Sequence, residues 1–173
     1  VDFLPLQILY HRGVIHLSGV VKGKNKILAI ALNQLKKYFL TNNMFDNRDL
    51  LAALRHEMDN RFGITDNMNN EIYDIEIEFS ELTGEFVKHH FWHHSQNFLK
   101  LSNGNYVMTL RCGINRELVG WIFQWMSNAR VIKPQSLQEL VKEKHREILD
   151  NYGSDMPLSS NNSFMNTELL DKN

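Results

Sequence analysis

Ile72-Tyr73-Asp74-Ile75-Glu76-Ile77-Glu78-Phe79 alternates without a break: Ile75, Ile77 and Phe79 fall on one side, Asp74, Glu76 and Glu78 on the other. A two-residue period of this kind marks a strand with one buried face. Downstream, residues 83–90 read as a short helix and residues 96–100 as a strand. Ser102-Asn103-Gly104-Asn105 is a hairpin turn leading into a partner strand over residues 106–112. Residues 115–126 read as a helix with Leu118, Trp121, Ile122 and Trp125 on its apolar side, and residues 129–132 as a last strand. Pro134-Gln135-Ser136 opens a final helix reaching to about Tyr152, with proline near its first turn. The order β-α-β-β-α-β is that of the ferredoxin-like split βαβ. The chain contains no internal repeat.

Upstream, residues 6–10 read as a strand, His11-Arg12-Gly13 as a turn and residues 14–21 as the returning strand of a hairpin. Lys22-Gly23-Lys24-Asn25-Lys26 is a second, basic turn, and residues 27–31 are a third strand that continues as strand or bend to Leu40. Short strands joined by tight polar turns describe part of a small curled antiparallel sheet or barrel. Residues 49–58 are helical, with Leu50, Leu51, Leu54 and Met58 on one face and Asn47 or Asp49 suited to capping the start. Asp66-Asn67-Met68-Asn69-Asn70 is the best linker in the chain.

Length and charge bound the function. The chain has 173 residues, enough for one medium domain or two small ones, and a formal net charge of −1. A global basic excess, the usual mark of a phosphate-backbone binder, is missing. Cys112 is the single cysteine, so no intrachain disulfide forms; with no signal-peptide pattern this favours a reducing, cytoplasmic setting. No apolar run approaches the roughly 20 residues a membrane span needs, which argues against a membrane partner. The chain begins at Val1 in strand-like sequence and reads as a fragment or processed product, and the polar tail over residues 153–173 is expected to be disordered.

The obvious chemistry lies in His89-His90-Phe91-Trp92-His93-His94. An extended backbone would point His90, Trp92 and His94 one way and His89 and His93 the other. A closed zinc site needs further nitrogen or sulfur donors, and the other histidines are scattered, so these are read as satisfied or surface histidines and no metal or cofactor is expected. Cys112 sits in a strand pattern as a small core residue. No nucleophile elbow, phosphate-cradling glycine loop or zincin motif is present, and Glu76 and Glu78 lie on a solvated strand face. The reading is non-catalytic.

Taken in order, these segments resemble a WYL domain followed by its WCX extension, the effector half of a group of bacterial transcriptional regulators. The first part is similar to WYL through Pro5-Leu6-Gln7-Ile8-Leu9, the glycine turn and Phe62-Gly63-Ile64. The second is similar to WCX through the alternating strand, His94-Ser95-Gln96, the Asn103-Gly104 hairpin, Glu117-Leu118 with Trp121, and Val131-Ile132-Lys133-Pro134. The resemblance implies an α+β chain in which residues 1–65 form a partial Sm-like or SH3-like small β-barrel, truncated at its start and carrying a helix over 49–59. Residues 66–70 are the linker, and residues 71–152 the ferredoxin-like unit.

The signature positions depart from the family pattern: Trp-Tyr-Leu is Ile15-His16-Leu17, and Arg-Leu-Asp-Arg-Ile is Ala31-Leu32-Asn33-Gln34-Leu35. The family's arginines suit anionic or nucleotide-like ligands, and alanine or glutamine cannot replace a guanidinium there. The expected contact residues are therefore His16, Asn33 and Gln34, with Arg12, Lys24, Lys26 and Lys36 (and Lys22 and Lys37 beside them) supplying charge for a nucleotide or single-stranded nucleic acid. DNA would be reached only through a helix-turn-helix absent from this sequence. An unpaired strand edge near residues 1–20 implies a homodimer. The rival expectation is a protein–protein dimerisation module whose ligand pocket is degenerate.

Overall fold

The computed structural model describes residues 2–24 and 26–153. The described residues form a mixed α/β structure with a three-stranded sheet, a four-stranded sheet and four α-helices. The first sheet is a meander of β1 (Phe3–His11), β2 (Val14–Val21) and β3 (Ile27–Ala31) in the order β1-β2-β3, antiparallel throughout. Leu9, His11, Val14 and His16 share one face by register, and Ile8, Tyr10, Ile15 and Leu17 share the other.

The stretch after β3 departs from the expected strand or bend. Leu32–Gln34 is a single 3-10 turn, and residues 35–47 have no regular structure, leaving Tyr38, Phe39, Leu40 and Met44 exposed. A strand there would need a pairing partner beyond β3, and β3 is the last strand of its sheet. α1 (Arg48–Asp59) then buries Leu54 completely. Asn47 occupies the cap position without a side-chain cap bond; instead Asp46 accepts from the Arg48 N–H at 3.1 Å.

The second sheet has the order β5-β6-β4-β7, from β4 (Tyr73–Phe79), β5 (Asn97–Lys100), β6 (Tyr106–Cys112) and β7 (Ala129–Lys133), all pairings antiparallel. α2 (Glu81–Lys88), α3 (Arg116–Phe123) and α4 (Gln135–Tyr152) complete the unit. The strand Ile75, Ile77 and Phe79 side is fully buried, as its alternation requires, and joins Met108, Leu110, Leu118, Trp121, Ile122, Val131 and Leu137 in one core. Each such side chain contributes about 1.5–3 kcal/mol by leaving water. The opposite face carries cross-strand ion pairs, Glu78 with Arg130 and Glu76 with Lys133 at 2.8 Å.

Phe91 to Gln96 is a turn-containing loop, not an extended segment. Gln96 closes it: its Oε1 accepts from the backbone N–H of Trp92 at 2.7 Å and His93 at 3.0 Å, while its Nε2 donates to the His90 carbonyl at 2.8 Å. The amide takes the role a neighbouring strand would have played. Trp92 turns inward, donating from Nε1 to the Val87 carbonyl at 2.9 Å and packing 5.2 Å from the Trp121 ring. The tail expected to be disordered lies, beyond Gly153, outside the described residues. No described helix is long and apolar enough to cross a membrane.

Candidate functional site

Two buried polar side chains at the start of α3 organise the junction between the sheets. Asn115 is fully buried and caps the helix, its Oδ1 accepting from the Leu118 N–H at 3.0 Å. Its Nδ2 donates to the carbonyls of Phe62 and Thr65, each at 3.1 Å. One amide thus fixes the 62–65 segment against α3. Asn67, in the segment expected to be a linker, forms a β-bridge with Asn115, and the Met68 N–H donates to the Ile114 carbonyl at 2.8 Å.

Glu117, two residues on, is also buried. Its Oε1 accepts from the Ile64 N–H at 2.8 Å, the Thr65 N–H at 2.9 Å and the Thr65 hydroxyl at 2.6 Å. Its Oε2 accepts from His11 Nε2 at 2.5 Å, with Arg12 Nε at 3.8 Å. Burial pushes the carboxyl upward, but the hydrogen bonds from Thr65 and Ile64 and the nearby His11 outweigh it, leaving Glu117 below the ordinary carboxylate range. The approach requires Gly63: its φ of +76° is in the left-handed region, and a Cβ there would stand 2.2 Å from a Glu117 oxygen.

A second cluster ties the same segment to the first sheet. The Arg61 guanidinium is buried against Glu57 and donates to Asp66 at 2.9 Å, and Asp66 also pairs with Lys26 of the β2–β3 turn at 3.0 Å. His93 joins from the far side. Its Nε2 donates to the Asp59 carbonyl at 3.1 Å while Nδ1 accepts from the Ser95 N–H at 3.2 Å, which sets the neutral tautomer. Burial, with the neighbouring His94, lowers its pKa below the usual histidine value.

Beside Glu117 a cleft of about 600 Å³ opens between the β1–β2 turn, α3 and α4. His11, Arg12, His16, Thr65, Arg116 and Lys144 give it polar walls, and Val119, Phe123 and Ile148 give it an apolar side. Of the residues expected to bind, Arg12 and His16 reach this cleft. Asn33 and Gln34 lie exposed in the 3-10 turn, Lys36 and Lys24 are exposed elsewhere, and Lys26 is paired with Asp66; none of these five lines the cleft. The sequence reading missed His11, Thr65, Arg116 and the ligating role of Glu117. The usable signal was Asn115 followed by an acid in the first turn, with a glycine at 63 that a buried neighbour would demand.

The histidine run has no common focus. His90 Nδ1 donates to the Phe86 carbonyl at 2.9 Å, His89 lies 3.4 Å from Glu85, and His93 is committed as above. Among the described residues no group of three or more histidine, cysteine or acidic side chains could hold a metal ion. The thiol of Cys112 is buried and pushed up to about 12 by desolvation.

Residues 71–149 match the WCX domain. No curated protein matches the chain. Among solved structures, the chain is similar to Proteasome accessory factor B/C (PafBC) of Arthrobacter aurescens, at a TM-score of 0.40 and 12% sequence identity. The similarity covers 88% of this chain and 22% of that one, so the chain spans about a fifth of its length.

Proposed function

We propose that this chain is a non-catalytic, ligand-responsive effector region of a bacterial transcriptional regulator, working in the cytoplasm and reaching DNA through a separate domain. The WCX match over residues 71–149, a regulator-associated domain, supports the class. The strand order β5-β6-β4-β7 supports a ferredoxin-like second unit, and the β1-β2-β3 meander supports part of an Sm-like barrel before it. The boundary between them is placed at residues 66–70.

The observation that carries the mechanism is the joint at Glu117. The tip of the first sheet is tied to α3 by His11 on one buried carboxylate, beside an open cleft. A ligand with different affinity for the closed and loosened joints would shift the population between them and so reorient whatever is attached. A thermal-shift screen of nucleotides, short single-stranded oligonucleotides and small organic acids tests this, followed by hydrogen exchange of β1 and β2 with any hit. Ligands that stabilise the chain and slow exchange in the hairpin support sensing; a screen in which nothing shifts the melting temperature removes it.

A dimerisation role is the second reading, and one observation favours it. Ile8, Tyr10 and Ile15 share a face of the first sheet and are 68%, 77% and 48% exposed. β1 also has no partner on its outer edge among the described residues. A homodimer through this face would cover both. Sedimentation that finds only monomer at high concentration would eliminate it.

A further inference from the structure

The ligand class follows from which charges on the cleft are already spent. Glu117 is saturated by Ile64, Thr65 and His11, and Glu147 is held by Lys144 at 2.8 Å through both oxygens. Two guanidiniums stand apart from these pairs. Arg116 has no ion-pair partner among the described residues, and Arg12 Nε comes no nearer than 3.8 Å to Glu117 with its side chain 63% exposed. Both line the cleft.

Arg12 is also held at a conformational cost. It occupies the first central position of the β1–β2 turn with φ at +48°, followed by Gly13 at +84°. Asn or Gly takes that position with less strain. An arginine kept there delivers its guanidinium to the cleft, and strain of this kind concentrates where a residue has a task.

Charge then limits the ligand. Among the described residues Arg12, Arg116 and Lys144 face Glu117 and Glu147, one more fixed positive charge than negative before the imidazoles of His11 and His16 are counted. A single negative charge is matched; further charges would meet two fixed carboxylates. The opposite side is apolar, formed by Val119, Phe123 and Ile148. A cleft of about 600 Å³ suits a small organic molecule.

We infer that the cleft between the β1–β2 turn and α3 binds a small amphipathic monoanion, a carboxylate on an aromatic or branched aliphatic body, with Arg12 and Arg116 forking onto its oxygens. This rests on the effector reading and gives its ligand a chemical class, in place of the nucleotide-like ligand that the family resemblance implied.

The test is a titration of the isotopically labelled full chain with benzoate, followed by amide NMR, with AMP and ATP titrated in parallel. Benzoate should give saturable shifts at Gly120, Phe123 and Ile148, and ATP should bind more weakly than benzoate. Arg116→Gln and Arg12→Gln should each weaken benzoate about tenfold, while Lys24→Gln leaves it unchanged and Arg116→Lys recovers part of the loss. Both arginines are exposed, and the same spectra report whether the variants keep their fold. Absence of benzoate shifts at tens of millimolar, shifts that survive both arginine variants, or tighter binding of ATP would each overturn the inference. ATP binding that slows hairpin exchange would leave the effector reading standing without it. Benzoate binding that leaves β1 and β2 exchange untouched would do the reverse.

Discussion

The two sheets are held by different physics. The four-stranded sheet buries Phe79, Trp121 and a ring of aliphatic side chains in one apolar core. The three-stranded sheet leaves Ile8, Tyr10 and Ile15 in solvent and is tied to its neighbour through Glu117, Arg61, Asp66 and Lys26. Apolar burial is cumulative and the interior close-packed, so the larger unit gives way only when many contacts are lost together. Polar ties depend on geometry, so losing one partner leaves the others buried and unpaired. The contrast places rigidity in residues 73–149 and adjustability at the hairpin.

Trp121→Ala tests the rigid half and should have the largest effect. Removing a fully enclosed indole costs about 3–5 kcal/mol, and urea unfolding should show loss of the whole four-stranded unit. If only the hairpin loosened, the contrast would fail. Glu117→Ala comes next, at about 3 kcal/mol, because His11 and the 64–65 N–H groups lose a buried charge. Here hydrogen exchange should accelerate in β1 and β2 before β4 and β6; uniform acceleration would mean that the two halves are one cooperative unit.

The pH dependence sharpens the same distinction at a smaller scale. The His93 pKa is lowered on folding, so its contribution is full above the ordinary value of about 6.5 and is lost as pH falls below it, when the unfolded chain binds the proton first. Glu117 is also lowered; its contribution is present above the ordinary value of 4.5 and declines as pH drops through the range beneath. His93→Gln should cost about 1 kcal/mol and flatten the stability profile below pH 6.5 while leaving the more acidic decline intact. A wild-type profile flat from neutrality to pH 5 would contradict the neutral, buried assignment of His93. The smallest effect belongs to the solvent-facing Arg130: because Glu78 keeps its bond from Asn105, Arg130→Ala should change stability by under about 1 kcal/mol, read as a small shift in denaturation midpoint. A larger loss would show that this ladder holds the sheet together.

The sequence exposed most of the second unit because its signals are local. Alternation over residues 72–79, the Asn103-Gly104 turn and the Leu118-Trp121-Ile122 stripe each name an element, and β4, the β5–β6 hairpin and α3 follow, with shifts of a few residues at their ends. Residues 91–96 misled because their shape is set by the Gln96 amide, which no periodicity reports. Residues 32–40 misled because β-propensity without a partner strand does not make a strand. The cleft was least visible: His11 and Glu117 are 106 positions apart, and only the folded chain brings them together. Arg12 came from the charge near the turns, whereas His16, Asn33 and Gln34 all came from family signature positions, of which the fold puts the first at the cleft and the other two on the surface.

The contact between Gly63 and Glu117 also constrains how this chain can evolve. Any side chain at position 63 collides with the carboxylate, and shortening position 117 removes that collision but not the left-handed strain of the backbone there. Shortening 117 first releases the histidine of the hairpin. Only the collision is shared between the two changes, so the double variant should lose less than the sum of the two singles, which makes the sites epistatic.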